Sequence, residues 1–307
     1  MYQEDYLRNY IKESELTVFN DRIKVRLSRE LAIKYEPSKV DDIGSYKTAR
    51  DIKTRIENEM KMLDKLKIKY PANANPILYI YVVPDDNFTF LLQMPTLFYK
   101  DKKSGGKPVT CYDLDGFPLA YGLSQNCLEN KETDNLEIAD LENELHELSH
   151  IVLSQFLLGN QVISEGIAET LPLYGLRLEE KFEKHKQVIA TLEENNIYSL
   201  KELLNKQRDG SYGNDAVLSN MTCSFRLSYI SSYLFVRGLL ERVEEKYLLS
   251  TTEAINYLFS ILRGNRGYAN EFLIYDIADA LELSHDELLN KKDIQKKALN
   301  SIISLEM

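Results

Sequence analysis

The sequence predicts an α+β fold, with a mixed or antiparallel sheet and helices in the N-terminal part and a helical C-terminal part. Three observations point there. Residues 77–83, I-L-Y-I-Y-V-V, are a continuous β-branched and aromatic run of the kind that fills a central strand. Residues 15–28 read as a hairpin, with Val18 and Phe19 before an Asn20-Asp21 turn and Ile23, Val25 and Leu27 alternating with charged residues. From about residue 165 onward, apolar positions recur at helical spacing almost to the end.

Taken in order, a helix is expected from about Ser45 to Lys69, with Ile52, Ile56, Leu63 and Leu66 on one stripe and Pro71 as its stop. After the strand run, Pro84-Asp85-Asp86 turns the chain, and F-T-F-L-L follows as a strand or a short helix. Residues 100–108 are loop-like; their Gly and Lys lack the G-x-x-x-x-G-K-[ST] spacing of a phosphate loop and read as surface. Two or three short strands are expected within 109–128. Helices follow at about 165–192, 199–207, 225–247, 251–263, 271–282 and 285–305, the last opened by a capping box of Ser284 and Glu287. Residues 208–222 interrupt them as a long loop placed to act as a lid.

Length and composition bound the function. The 307 residues suit two parts of one catalytic unit, divided into 1–134 and 135–307. A formal charge of −10 without a basic cluster argues against nucleic acid as a main partner. No apolar run approaches the eighteen residues of a membrane span, and the first residues are charged rather than signal-like, so a cytoplasmic protein is expected, a trimmed secreted chain being the alternative. Cys111, Cys127 and Cys223 are few and lack C-x-x-C spacing, which fits a reducing compartment.

The chemistry concentrates in residues 144–170, E-L-H-E-L-S-H-I-V-L-S-Q-F-L-L-G-N-Q-V-I-S-E-G-I-A-E-T. His146 and His150, two of four histidines in the chain, are four residues apart and so leave one face of a helix. That spacing lets two ring nitrogens reach one ion at about 2.0–2.1 Å. Glu147 follows the first histidine and can lean over the open coordination position, which makes the H-E-x-x-H pattern a mechanical one. Leu141, Leu145, Leu148, Ile151, Val152, Leu153 and Phe156 give this helix a wide apolar face, and Gly159-Asn160 reads as its end. Ser164 reads as the next N-cap, ahead of Glu165 and Glu169 on a shared face. A catalytic zinc takes three protein ligands, so Glu165 can be the third, with Glu169 holding the other ring N–H of a liganding histidine.

The pair H-E-L-S-H and S-E-G-I-A-E resembles the gluzincin metallopeptidases, and within them the bacterial peptidase MA-like proteins. A metzincin would need a Gly and a third His where this chain has Leu153 and Phe156, and the G-x-M-E-N motif of aminopeptidases is absent. The resemblance implies a thermolysin-like α+β fold with zinc in the cleft between the two parts, and an edge strand within 116–127 that pairs with a peptide substrate. It implies a zinc metallopeptidase in which Glu147 is the general base toward water. In that family a helix similar to 229–242 begins with a tyrosine aimed at the metal, and Tyr229 takes that place as oxyanion donor, with Tyr233 next on the same face. Most of the 20 tyrosines must be packing or surface residues. Arg226 can bind a substrate carboxylate or form a structural ion pair; His185 and His285 read as exposed, and Glu142 and Glu144 as solvent groups or supports of the ligands. Two rivals use the same residues: a zinc hydrolase of non-peptide amides or esters, and a non-catalytic zinc protein that binds peptides.

Overall fold

The computed structural model describes residues 16–18, 23–27, 58–69, 78–83, 109–112, 118–124, 138–154, 160–179, 189, 192, 196–215, 226–264 and 270–305. In the strands and at some helix ends it describes the backbone alone. The chain forms two compact units, residues 1–62 with 73–154, and residues 63–72 with 155–307.

The first unit holds five backbone strands: β1 (Leu16–Val18), β2 (Ile23–Leu27), β3 (Leu78–Val83), β4 (Val109–Tyr112) and β5 (Pro118–Ser124). They pair in the order β1-β2-β3-β5-β4, with the central two pairings parallel and the outer two antiparallel. Besides helical residues 58–62, this unit contributes α1 (Ile138–Ser154), whose Leu145, Leu148, Val152 and Leu153 are buried on one side as the apolar spacing requires.

The second unit is helical: α2 (Gln161–Thr170), a π-helical turn (Leu171–Gly175), α3 (Leu200–Asp209), α4 (Leu227–Tyr247), α5 (Thr251–Gly264), α6 (Asn270–Leu281), α7 (His285–Leu289) and α8 (Asp293–Leu305). Its centre is α4. Every residue from Ile230 to Glu241 is buried, so this helix has no solvent face over three turns and α2, α3, α5 and α8 surround it. Two glycines permit the closest approaches. A Cβ on Gly166 of α2 would stand 2.6 Å from the Ser232 carbonyl oxygen, and one on Gly238 would stand 2.4 Å from that of Ile294 on α8. No helix among the described residues is long and apolar enough to cross a membrane.

The expected α+β, thermolysin-like class is corrected by this architecture. The core of the second unit is helix packed on helix, with α2, α3, α5 and α8 around α4. The physical reason is that a β-branched run reports local pairing, whereas fold class depends on what the sheet's faces bury. In the second unit it is α4, not a sheet, that the buried side chains cover.

Smaller corrections follow from local chemistry. The expected end of the histidine helix at Gly159 lies outside the described residues, and Asn160 opens the next helix. The Asn160 side chain accepts from the Ile163 N–H at 3.1 Å and so caps α2, displacing Ser164 from that role. The helix expected over 165–192 leaves α-geometry at residue 171, because Pro172 has no N–H to continue the ladder and Leu176 N–H reaches back five residues to Leu171. The helix expected over 285–305 is two, α7 and α8, separated at Asn290–Lys292. The helices 199–207, 225–247, 251–263 and 271–282 appear within two residues of their expected bounds. The edge strand expected within 116–127 is corrected: β5 pairs with β3 on one side and β4 on the other, so its backbone groups are taken up within the sheet, and its side chains lie outside the described residues.

Candidate metal centre

On α1, the Nε2 atoms of His146 and His150 lie 3.1 Å apart, with the rings edge to face at 4.8 Å between centroids. Two nitrogens bound to one tetrahedral zinc at about 2.0–2.1 Å would stand about 3.3 Å apart, so the pair presents the bite of a single ion. The zinc that the resemblance implies therefore fits this donor pair. His150 is 3% exposed and His146 half-buried. The backbone beneath them is secured by Ser149, whose hydroxyl donates to the Leu145 carbonyl at 2.7 Å. Glu147 is half-buried beside His146. Glu144, one turn before Leu148, is 1% exposed, which removes the solvent alternative for it; the side chain of Glu142 lies outside the described residues.

In the second unit, Glu165 and Glu169 sit half-buried on α2. Around them Val162, Ile163, Gly166, Ile167 and Ala168 are buried, so the helix turns its acidic face away from its packed one. The π-helical turn that follows directs the Tyr174 hydroxyl to Glu244 Oε2 at 2.9 Å. Beyond it, Glu179 accepts from both Arg237 and the Tyr233 hydroxyl.

The two candidate tyrosines have different fates. Tyr233 is fully buried and is spent on Glu179 and Arg237, whose Nη1 donates to its oxygen at 3.0 Å; burial pushes its phenol well above the usual tyrosine range. It is a member of an ion-pair network. Tyr229 is half-buried at the first turn of α4, edge to face with Tyr212 at 5.4 Å and under the Arg226 guanidinium at 5.5 Å from the ring centroid. Arg226 therefore lies over an aromatic face. His285 is exposed against Tyr275, as expected, and His185 lies outside the described residues.

Tyr212 was not identified from the sequence. It is 8% exposed, and its hydroxyl shares a 2.7 Å hydrogen bond with Ser232. Burial first, and then the negative charge of Glu165, push its phenol well above the ordinary value. The segment that carries it, the first half of the expected lid, is fastened to α4 rather than free. Gly213 N–H donates to Ser228 Oγ at 2.9 Å, and Ser228 Oγ donates to Asp215 Oδ1 at 2.8 Å. Gly213 adopts φ +78°, which only glycine takes without strain. That glycine beside a tyrosine was the one available signal.

No protein-family model matches the chain. Ribonuclease Y of Listeria welshimeri, of Listeria monocytogenes and of Listeria innocua is in each case 35% identical to it over 80 residues. Those residues are 25% of this chain and 15% of the relatives' length, so the chain spans a small part of the enzymes that it matches.

Proposed function

We propose that the protein is a zinc-dependent metallopeptidase, with His146, His150 and Glu165 as metal ligands and a peptide or protein as substrate. The observation that carries this reading is the pair of histidine nitrogens 3.1 Å apart on one helix, with a glutamate directly after the first. Zinc, when bound there, supplies a Lewis acid that polarises a carbonyl and makes water acidic near neutral pH. The chain's own residues do the rest. Glu147 accepts the proton as water attacks the peptide carbonyl and delivers it to the leaving amine. Tyr229 donates its phenolic hydrogen toward the oxygen that becomes negative. Glu169 accepts the second ring N–H of a liganding histidine and keeps the other nitrogen turned to the ion. The expected compartment is the cytoplasm.

The test is a diverse peptide library incubated with the zinc-loaded protein, with new termini read by mass spectrometry and Glu147→Gln run in parallel. Glu147→Gln is expected to keep zinc and to lose about 10²–10⁴ in turnover, the usual worth of a general base. Comparable cleavage by the variant would sink the scheme. A second reading comes from the 80-residue similarity to ribonuclease Y, under which the substrate is RNA. The charge of −10 weighs against it, and an RNA substrate in the same assay separates the two.

A further inference from the structure

On the reading that Glu165 and Tyr229 belong to a hydrolytic site, we propose that Tyr212 is a positioning residue, its phenol fixed by Ser232 so as to set both the Glu165 carboxylate and the Tyr229 ring. Ser232 is the point where three segments meet. Its side chain holds the Tyr212 hydroxyl at 2.7 Å, while its carbonyl faces Gly166, where a Cβ would come within 2.6 Å. Gly166 directly follows Glu165, so the helix that carries the carboxylate is seated on Ser232, the residue that holds the Tyr212 phenol. The Tyr212 ring then meets Tyr229 edge to face at 5.4 Å, a geometry that fixes the tilt of the second ring. The Tyr212 backbone is itself fixed, its N–H donating to the Lys206 carbonyl at 3.0 Å, while Gly213 and Asp215 are bonded to Ser228. A buried phenol held at both ends in this way restricts where Glu165 and Tyr229 can stand.

The inference is tested with zinc alone and with a peptide that the wild type cleaves. Zinc affinity is measured by competition with a chromophoric chelator for wild type, Glu165→Gln, Tyr212→Phe, Ser232→Ala and the double variant Tyr212→Phe/Ser232→Ala. Tyr212→Phe is expected to bind zinc about tenfold more weakly and to lower kcat about tenfold with KM unchanged, the scale of groups that orient a ligand. Ser232→Ala is expected to do the same, and the double variant no more than either alone, because both remove one interaction. Ser232→Ala carries the test if Tyr212→Phe does not fold. Wild-type zinc affinity and kcat in both single variants would overturn the inference while leaving the proposed function standing. A loss that merely follows a lowered melting temperature would also overturn it. A wild type that binds no zinc, or binds it equally well as Glu165→Gln, removes the proposed function and this inference with it.

Discussion

At the scale of single residues, the spacing of His146 and His150 controls what the site can do. Removing either imidazole leaves one nitrogen where two are needed, so His150→Ala is expected to abolish zinc binding in a chelator-competition titration. Because His150 is buried on α1, a folding control by circular dichroism accompanies it. Gly166 tests a different property. Its Cβ position is 2.6 Å from both the Ser232 carbonyl oxygen and Val236 Cγ2, and neither backbone nor branched side chain yields cheaply. Gly166→Ala is therefore expected to cost about 1–3 kcal/mol in denaturant unfolding, the range of overpacked cores. A stability equal to wild type would show that α2 can move away from α4 at no cost.

At the scale of elements, helix ends respond to pH through their caps. Ser250 and Glu253 cap α5, and Ser284 and Glu287 cap α7, each carboxylate accepting from the serine. The Ser250 hydroxyl and backbone hold Glu253 below the ordinary carboxylate value, and the Ser284 backbone and hydroxyl do the same for Glu287. A carboxylate depressed in the folded state contributes stability above its unfolded value of 4.5 and loses it as pH falls through the folded one. Melting temperature is thus expected to drop on acidification from about pH 5, and Glu253→Gln/Glu287→Gln to flatten that part of the curve. At the start of α2, Asn160→Ala is expected to cost about 1 kcal/mol by removing the acceptor for the Ile163 N–H. All three S-x-x-E boxes, at Ser199, Ser250 and Ser284, are written in the sequence, since a cap joins residues three apart and needs no partner from elsewhere.

At the scale of the whole molecule, the chain folds as two compact units. The second is organised around a buried cation: Arg237, 2% exposed, pairs with Glu179 and with Glu241 at 2.9 Å, and lies over the Tyr174 ring at 4.8 Å. These partners come from the segment after the π-helical turn and from α4 itself, so one guanidinium joins parts of the chain 58 residues apart. Arg237→Ala leaves the buried Glu241 and the half-buried Glu179 without their counter-charge and is expected to destabilise by about 3–5 kcal/mol in chemical denaturation. Arg237→Met with Glu179→Gln and Glu241→Leu, which removes the charge of all three partners, is expected to cost less. Equal losses in the two variants would show that packing around the side chain, not its charge, is what matters.

The sequence by itself determined the histidine pair, the glutamate between them and the carboxylates of S-E-G-I-A-E, because a helix of 3.6 residues per turn makes i and i+4 neighbours wherever it stands. It also determined most helix bounds after residue 199, for the same local reason. Tertiary structure alone decided that Tyr233 serves Arg237, that Tyr212 is a wall for Tyr229, and that the core of the second unit is made of helices around α4. Those outcomes depend on which distant side chain fills each space. Hydrogen bonds such as Tyr233 to Glu179, 54 positions apart, have no period in the sequence from which they could be read.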